Sequence, residues 1–181
     1  MIVSRRKSLV YWAHWAVAHT NEIHYTESGT PPDARQMVLS AHKGQLPLWT
    51  DCSGAVTTWY KWAGLPDPNG LGYRYLGYTG TLLANGKQIE KRFIARGDVI
   101  VYGPGTGWHT ALVVEPGSDP LTVSHGGPGG PSYVRVSQDG REPQRYLRFA
   151  TTVTVPNPVV HPFRYFKTRV TTVNATAKGA A

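Results

Sequence analysis

With 181 residues, the chain is long enough for one domain with a hydrophobic core, and it carries a formal net charge of +8. Its lone cysteine excludes an internal disulfide and a cysteine-based metal cluster. No stretch reaches the roughly 18 apolar residues of a membrane span, and the basic N-terminus lacks a secretory h-region, so we expect no stable membrane association and no signal peptide of the chain's own.

The first half of the chain predicts three helices. Apolar residues recur at the spacing of one helix face and predict a helix over 8–20; they are Leu9, Trp12, Ala13, Ala16 and Val17. A short helix is expected over 33–42, and a third begins at Cys52 and ends before Gly64. Residues 65–90 are rich in Gly, Pro, Asn and Tyr, which predicts a long loop with one helical turn over 79–84.

The second half predicts strands over 99–102, 109–115, 121–125, 133–136 and 145–149, separated by Gly and Pro turns. A turn at 116–120 predicts that the second and third of these strands form a hairpin. Helices followed by antiparallel strands indicate an α+β domain over 1–155, with the N-terminal helices packed on a C-terminal antiparallel sheet. Residues 156–181 predict a C-terminal tail or linker.

Cys52 lies at the predicted start of the third helix. A thiol in a first turn faces unpaired backbone N–H groups and the positive end of the helix dipole, which lower its pKa and favour the nucleophilic thiolate. Asp51 is interpreted as the N-cap, shared with Thr50, and Ser53 as a residue that bonds locally or contacts substrate. A lone cysteine is also commonly a buried, inert side chain, so this motif leaves both interpretations open.

Two histidines stand at the ends of predicted strands. His109 begins a strand and His125 ends its hairpin partner, so we expect both imidazoles at one end of the sheet, close enough to hydrogen-bond. Hydrolysis by a cysteine nucleophile needs a nearby histidine and a polar group that orients it. The spacing of the seven histidines contains no metal-ligand motif, and we predict neither a metal nor another cofactor.

Four sequence blocks resemble the NlpC-like cell-wall peptidases, which are papain-like cysteine hydrolases that cut peptidoglycan stem peptides. The blocks are DCSG at 51–54, RGDVIVY at 96–102, HTALVV at 109–114 and VSH at 123–125. The resemblance covers roughly residues 8–150 and implies a papain-like fold. It also implies that Cys52 is the nucleophile, His109 the base and acid, and His125 the group that orients His109.

The chain departs from the family's pattern beside these blocks. Trp108 and Thr110 replace the usual small residues around His109, and the usual approach to the cysteine is absent. Tyr25 is the candidate for the substrate-facing tyrosine that some members place near the thiol, with ordinary loop packing as the alternative. The predicted substrate contacts are Tyr25, Asp51, Ser53 and Trp108. These departures concern cleavage specificity more than mechanism.

The resemblance implies that the partner is bacterial peptidoglycan and that one of its amide bonds is cut, without saying which bond. The lack of a signal peptide and the phage-like GLPDPNG at 64–70 favour the peptidase domain of an actinobacteriophage endolysin. Such an enzyme stays in the host cytoplasm until holin release and then reaches the cell wall, and further lysin or virion domains are possible. A peptidase associated with the phage tail would share these features.

Two alternatives come from other functional classes. A non-catalytic structural or wall-binding module could use the same fold, although the intact Cys52, His109 and His125 argue against it. Nucleic-acid binding is suggested only by the net charge, which fits an anionic cell wall equally well. The basic residues are scattered and no nucleic-acid motif supports them, so we predict no nucleic-acid partner.

Overall fold

The computed structural model describes residues 2–30 and 35–155. In chain order its helices and strands are β1 (Ile2–Ser4), α1 (Arg6–Ala18), β2 (Ile23–Tyr25), β3 (Leu48–Thr50), α2 (Cys52–Trp62), α3 (Thr79–Asn85), β4 (Lys87–Ile89), β5 (Val99–Tyr102), β6 (His109–Glu115), β7 (Leu121–Ser124), β8 (Ser132–Arg135), α4 (Val136–Asp139), β9 (Gln144–Arg148) and β10 (Thr152–Thr154). Short 3-10 helices span Thr20–Glu22, Arg35–Leu39 and Lys91–Phe93.

A six-stranded sheet forms the centre of the fold, in the spatial order β4-β9-β5-β6-β7-β8. Each neighbouring pair is antiparallel. The central strand β6 is buried along nearly its whole length, because its neighbours cover both edges and side chains cover both faces. Two smaller pairs flank the sheet, β1 with β10 antiparallel and β2 with β3 parallel.

Helices α1 and α2 pack on one face of the sheet and form the main core with it. Leu112 and Val114 of β6 belong to the same buried cluster as Leu9 of α1 and Trp59 of α2. Alternate residues of β5 and β6 point to the other face, where a smaller cluster includes Tyr102 and the first residue of α4. Among the described residues, no helix is both long and apolar enough to span a bilayer.

The predicted α+β class is confirmed, and the main predicted elements are present within a few residues. The helix expected over 33–42 is a 3-10 turn at Arg35–Leu39, and the helical turn at 79–84 is α3. The three-residue strands β1, β2, β3, β4 and β10 are additions that the sequence patterns did not predict. The tail or linker expected at 156–181 lies outside the described residues.

The loop between α2 and α3 is held by a buried carboxylate. Asp67 accepts hydrogen bonds from the backbone amides of Asn69, Leu71 and Tyr73 at 2.9, 3.1 and 2.9 Å. The amide side chain of Asn69 donates to Thr57 Oγ1 of α2 at 2.9 Å and accepts from the Thr81 hydroxyl of α3 at 2.7 Å. The loop is therefore fixed to both helices, which positions α3 beside the start of α2.

Candidate active site

Helix α2 begins at Cys52 because Asp51 caps it. Asp51 has an extended backbone, and its Oδ1 accepts a hydrogen bond from the Gly54 amide at 2.6 Å. This satisfies one of the N–H groups left without a partner in the first turn. Thr50, expected to share the cap, donates its hydroxyl to the Asp51 carbonyl at 3.2 Å instead. The predicted capping role of Asp51 is confirmed.

Arg35 joins three segments beside the cysteine, and the sequence analysis did not identify it. Its Nη2 lies 2.7 Å from Asp51 Oδ2, 3.0 Å from Ser53 Oγ and 3.1 Å from the Gly77 carbonyl. The Ser53 hydroxyl in turn donates to Asp51 Oδ1 at 3.1 Å. Asp51 and Ser53, both predicted substrate contacts, are thus buried in a structural network in the unliganded protein.

The thiol of Cys52 is buried, with only 7% of the residue exposed. The backbone amides of Thr110 and Ser53 face the sulfur and lower its pKa, as does Arg35. Burial and the charge of Asp51 outweigh them and raise the pKa to about 12. The predicted lowering of this pKa at the helix start is therefore wrong, and the thiol is protonated near neutral pH.

His109, the first residue of β6, is 4% exposed and lies one residue before the amide that faces the Cys52 sulfur. Its Nε2 lies 2.6 Å from Ser124 Oγ, and its ring stacks on Tyr102 with centroids 5.8 Å apart. Burial, with smaller contributions from the charges of Arg141 and His125, lowers the pKa of His109 to about 3. The imidazole is thus neutral near neutral pH and held by Ser124.

His125 does not make the expected hydrogen bond to His109. In the β6–β7 hairpin Ala111 pairs with Ser124, so Ser124 shares the sheet face of His109, and the next residue along points to the opposite face. Neither ring nitrogen of His125, which is 1% exposed, reaches hydrogen-bond geometry with a described residue. Burial lowers its pKa, partly opposed by the backbone of His24 and by Asp51.

Tyr25 lies close to the cysteine, as predicted for this position. Its ring meets the edge of His125 with centroids 5.4 Å apart, and its hydroxyl donates to Glu27 Oε1 at 2.6 Å. Burial, the Glu27 hydrogen bond and the charge of a Cys52 thiolate raise the pKa of Tyr25. Substrate contact by Tyr25 stays a prediction.

Trp108 lies at the surface directly before His109, and 69% of it is exposed. Its ring covers Gly103, where an added Cβ would come within 2.8 Å of the indole and where φ is +93°. Helix α3 is attached next to it, because the Thr79 hydroxyl donates to the Gly107 carbonyl at 3.1 Å. Trp108 is therefore placed to contact a ligand that reaches His109, and such contact stays a prediction.

Among the residues that the structure describes, no group of three or more His, Cys, Asp or Glu side chains is arranged to hold a metal ion.

No protein-family model and no curated protein matches the sequence. Several solved structures, however, are similar to this chain. The chain has the fold of NlpC/p60 domains. RipD of Mycobacterium tuberculosis, a non-catalytic NlpC/p60 domain protein with an adaptation to peptidoglycan-binding function, matches with a TM-score of 0.54 and 16% identity over 82% of this chain and 99% of that one.

Two further structures support the same fold. The p60 domain of antigen MAP1272c from M. avium paratuberculosis has a TM-score of 0.52 and 16% identity, covering 81% of this chain and 93% of that one. Rv1477, a hypothetical invasion protein of M. tuberculosis, has a TM-score of 0.52 and 19% identity over 80% of this chain. The match spans only 63% of the length of Rv1477.

Proposed function

We propose that this chain is a cysteine hydrolase that cleaves an amide bond in the stem peptide of bacterial peptidoglycan. The observation that carries the proposal is the geometry around the start of α2. The Thr110 amide faces the Cys52 sulfur at the start of α2. His109 precedes Thr110, and its ring, on the face of β6 that carries Tyr102, is held at Nε2 by Ser124, 2.6 Å away. A nucleophile, a base and an orienting group are the parts that cysteine hydrolysis requires.

In the proposed mechanism, the Nε2–H of His109 donates to Ser124 Oγ, which leaves Nδ1 free to accept a proton. The thiol proton passes to the imidazole base, for which the resemblance implies His109, and the Cys52 sulfur attacks the amide carbonyl. In this structure the His109 ring lies on the Tyr102 face of β6, so the transfer requires the ring to turn towards α2. The C–N bond then breaks, and the leaving amine takes the proton from His109. Water hydrolyses the resulting thioester with the same histidine as base. In this proposal Ser124 has the orienting role that the resemblance implies for His125.

The test is digestion of purified mycobacterial-type peptidoglycan by the wild type beside Cys52→Ala, with mass spectrometry of the released fragments. We expect fragments only from the wild type, and their new termini identify the bond. Cys52→Ser serves as a nearly isosteric variant, and urea unfolding checks that both variants fold. Equal fragment release by Cys52→Ala would contradict the nucleophile assignment.

A second candidate is a non-catalytic domain that binds peptidoglycan. The protonated Cys52 thiol makes no hydrogen bond to either imidazole in the described part of the chain, and its pKa is raised to about 12. The matching structure of RipD belongs to a non-catalytic protein. If the wild type co-sediments with peptidoglycan but releases no fragments while its thiol is reduced, this second function replaces the first.

For the biological setting we propose an actinobacteriophage endolysin, on the support of the sequence resemblance alone. Expression inside a host cell should then cause lysis only when a holin opens the membrane. Detection of the protein in purified virions would instead support the tail-associated peptidase.

A further inference from the structure

A basic groove of about 600 Å³ follows the exposed side of α1, and we call it the α1 groove. Arg6, Lys7 and Arg96 supply its positive charge, and none of the described residues that line it is acidic. Val10 and Tyr11 contribute apolar surface to its lining. Tyr11 is 57% exposed, and its ring is supported edge-on by Trp12 at a centroid distance of 5.1 Å.

The three cations of the α1 groove have no acidic partner in the described part of the chain. Within the described residues, none of their side chains makes a hydrogen bond or an ion pair, whereas Arg135, Arg141 and Arg148 each pair with an acidic side chain. Unpaired guanidinium groups beside an exposed aromatic ring favour a ligand that combines anionic groups with an uncharged body.

The α1 groove lies at the end of β5 opposite to the candidate active site. Arg96 and Gly97 precede β5, and the Arg6 side chain packs where a Cβ on Gly97 would lie, 3.4 Å away. His109 instead pairs with Tyr102, the last residue of β5. A ligand in the α1 groove therefore leaves the region around Cys52 accessible.

We propose that the α1 groove binds a phosphodiester segment of an anionic cell-wall polymer. Phosphate oxygens would bind Arg6, Lys7 and Arg96, and the polyol or sugar units between phosphates would lie on Tyr11. The volume falls within the range typical of small-ligand sites, so the groove holds a short segment. Three clustered cations are fewer than the row of phosphate contacts that nucleic-acid binders use. The wall as the location of this polymer rests on the proposed function.

The test measures binding of a short, fluorescently labelled poly(glycerol phosphate) chain to the full-length Cys52→Ala protein by fluorescence anisotropy. Adding Arg6→Gln and Arg96→Gln should weaken binding about tenfold or more, because charge-assisted hydrogen bonds are lost. The charge-matched control is Lys43→Gln with Lys87→Gln, two exposed lysines outside the groove. The control should stay within about twofold of the parent protein.

Two results would overturn the proposal. Equal weakening in the groove variant and the control would show attraction by net charge alone. Binding of an oligonucleotide with the same number of phosphates, as tight as that of the polymer and equally dependent on Arg6 and Arg96, would assign the groove to nucleic acid.

The groove and the proposed function fail separately. With Cys52 intact, the Arg6→Gln/Arg96→Gln variant should hydrolyse a soluble stem-peptide fragment at the wild-type rate. If the wild type cleaves no peptidoglycan but polymer binding depends on the groove, the hydrolase assignment fails and the binding site stands. If cleavage is normal and the polymer does not bind, only the groove proposal fails.

Discussion

Replacing Ser124 with alanine tests whether this hydroxyl positions the catalytic base. The substitution removes the 2.6 Å contact to His109 Nε2 and leaves that nitrogen unpaired in a buried site. The hydrogen bond strengthens when His109 becomes charged in the transition state, and a hydrogen bond to a charged group contributes about 1.5–3 kcal/mol, so its loss corresponds to about a 10- to 150-fold loss in kcat. The KM should change little, because Ser124 is not expected to touch substrate.

The assay is steady-state hydrolysis of a soluble disaccharide-peptide fragment, with kcat and KM measured separately. Ser124→Thr keeps the hydroxyl and should recover most of the lost rate. His125→Ala should reduce kcat less than Ser124→Ala, and His109→Ala should reduce it most. A wild-type kcat for Ser124→Ala, with a large loss for His125→Ala, would refute the proposal and return the orienting role to His125.

Three further outcomes are expected. Burial raises the pKa of Cys52 to about 12, so its alkylation by iodoacetamide should be slow near neutral pH and accelerate only in alkali; rapid alkylation in acid would indicate a preformed ion pair. The pKa of His109 is about 3 in the folded protein against its ordinary 6.5, so the unfolded chain binds the extra proton between these values. The contribution of His109 to the free energy of unfolding is therefore complete above pH 6.5 and falls by about 1.4 kcal/mol per pH unit between pH 6.5 and pH 3. Urea unfolding at several pH values should show a smaller pH dependence of this free energy for His109→Asn. An unchanged pH dependence would contradict the prediction. Asp98 accepts two hydrogen bonds from Arg148, at 2.9 and 2.7 Å. Asp98→Asn should lower the free energy of unfolding by about 2–3 kcal/mol. This is less than the cost of breaking a fully buried pair, because the Arg148 side chain is about a third exposed. The exposed pair formed by Glu90 is the control, and a cost for Asp98→Asn no larger than for Glu90→Gln would show that burial does not matter there.

The elements that local patterns determine could be predicted from the sequence. The start of α2 depends on Asp51 and the amide of Gly54 three residues later, so the cap is visible in the sequence. The short strands β1 and β10 could not be predicted, since three residues carry little pattern and the pairing of Ile2 with Thr154 joins distant parts of the chain.

The partner of His109 depends on strand register, which the sequence pattern does not determine. The β6–β7 pairing shifts between Val113 and Glu115, and a shift of one residue exchanges the two faces of a strand. The predicted hairpin is confirmed, but its register brings Ser124 rather than His125 to His109. The pKa of Cys52 was mispredicted for a related reason, because burial depends on tertiary packing that the helix start does not reveal.

The carboxylate of Asp67 affects when the chain loses its freedom of motion. Its hydrogen bonds fix the backbone from Asn69 to Tyr73, and Asn69 ties that segment to α2 and α3 before any ligand arrives. The conformational entropy of these residues is therefore lost on folding and not on association. A loop that is already ordered discriminates among the molecules that contact it by their fit to a fixed shape, because rearranging it would break these hydrogen bonds.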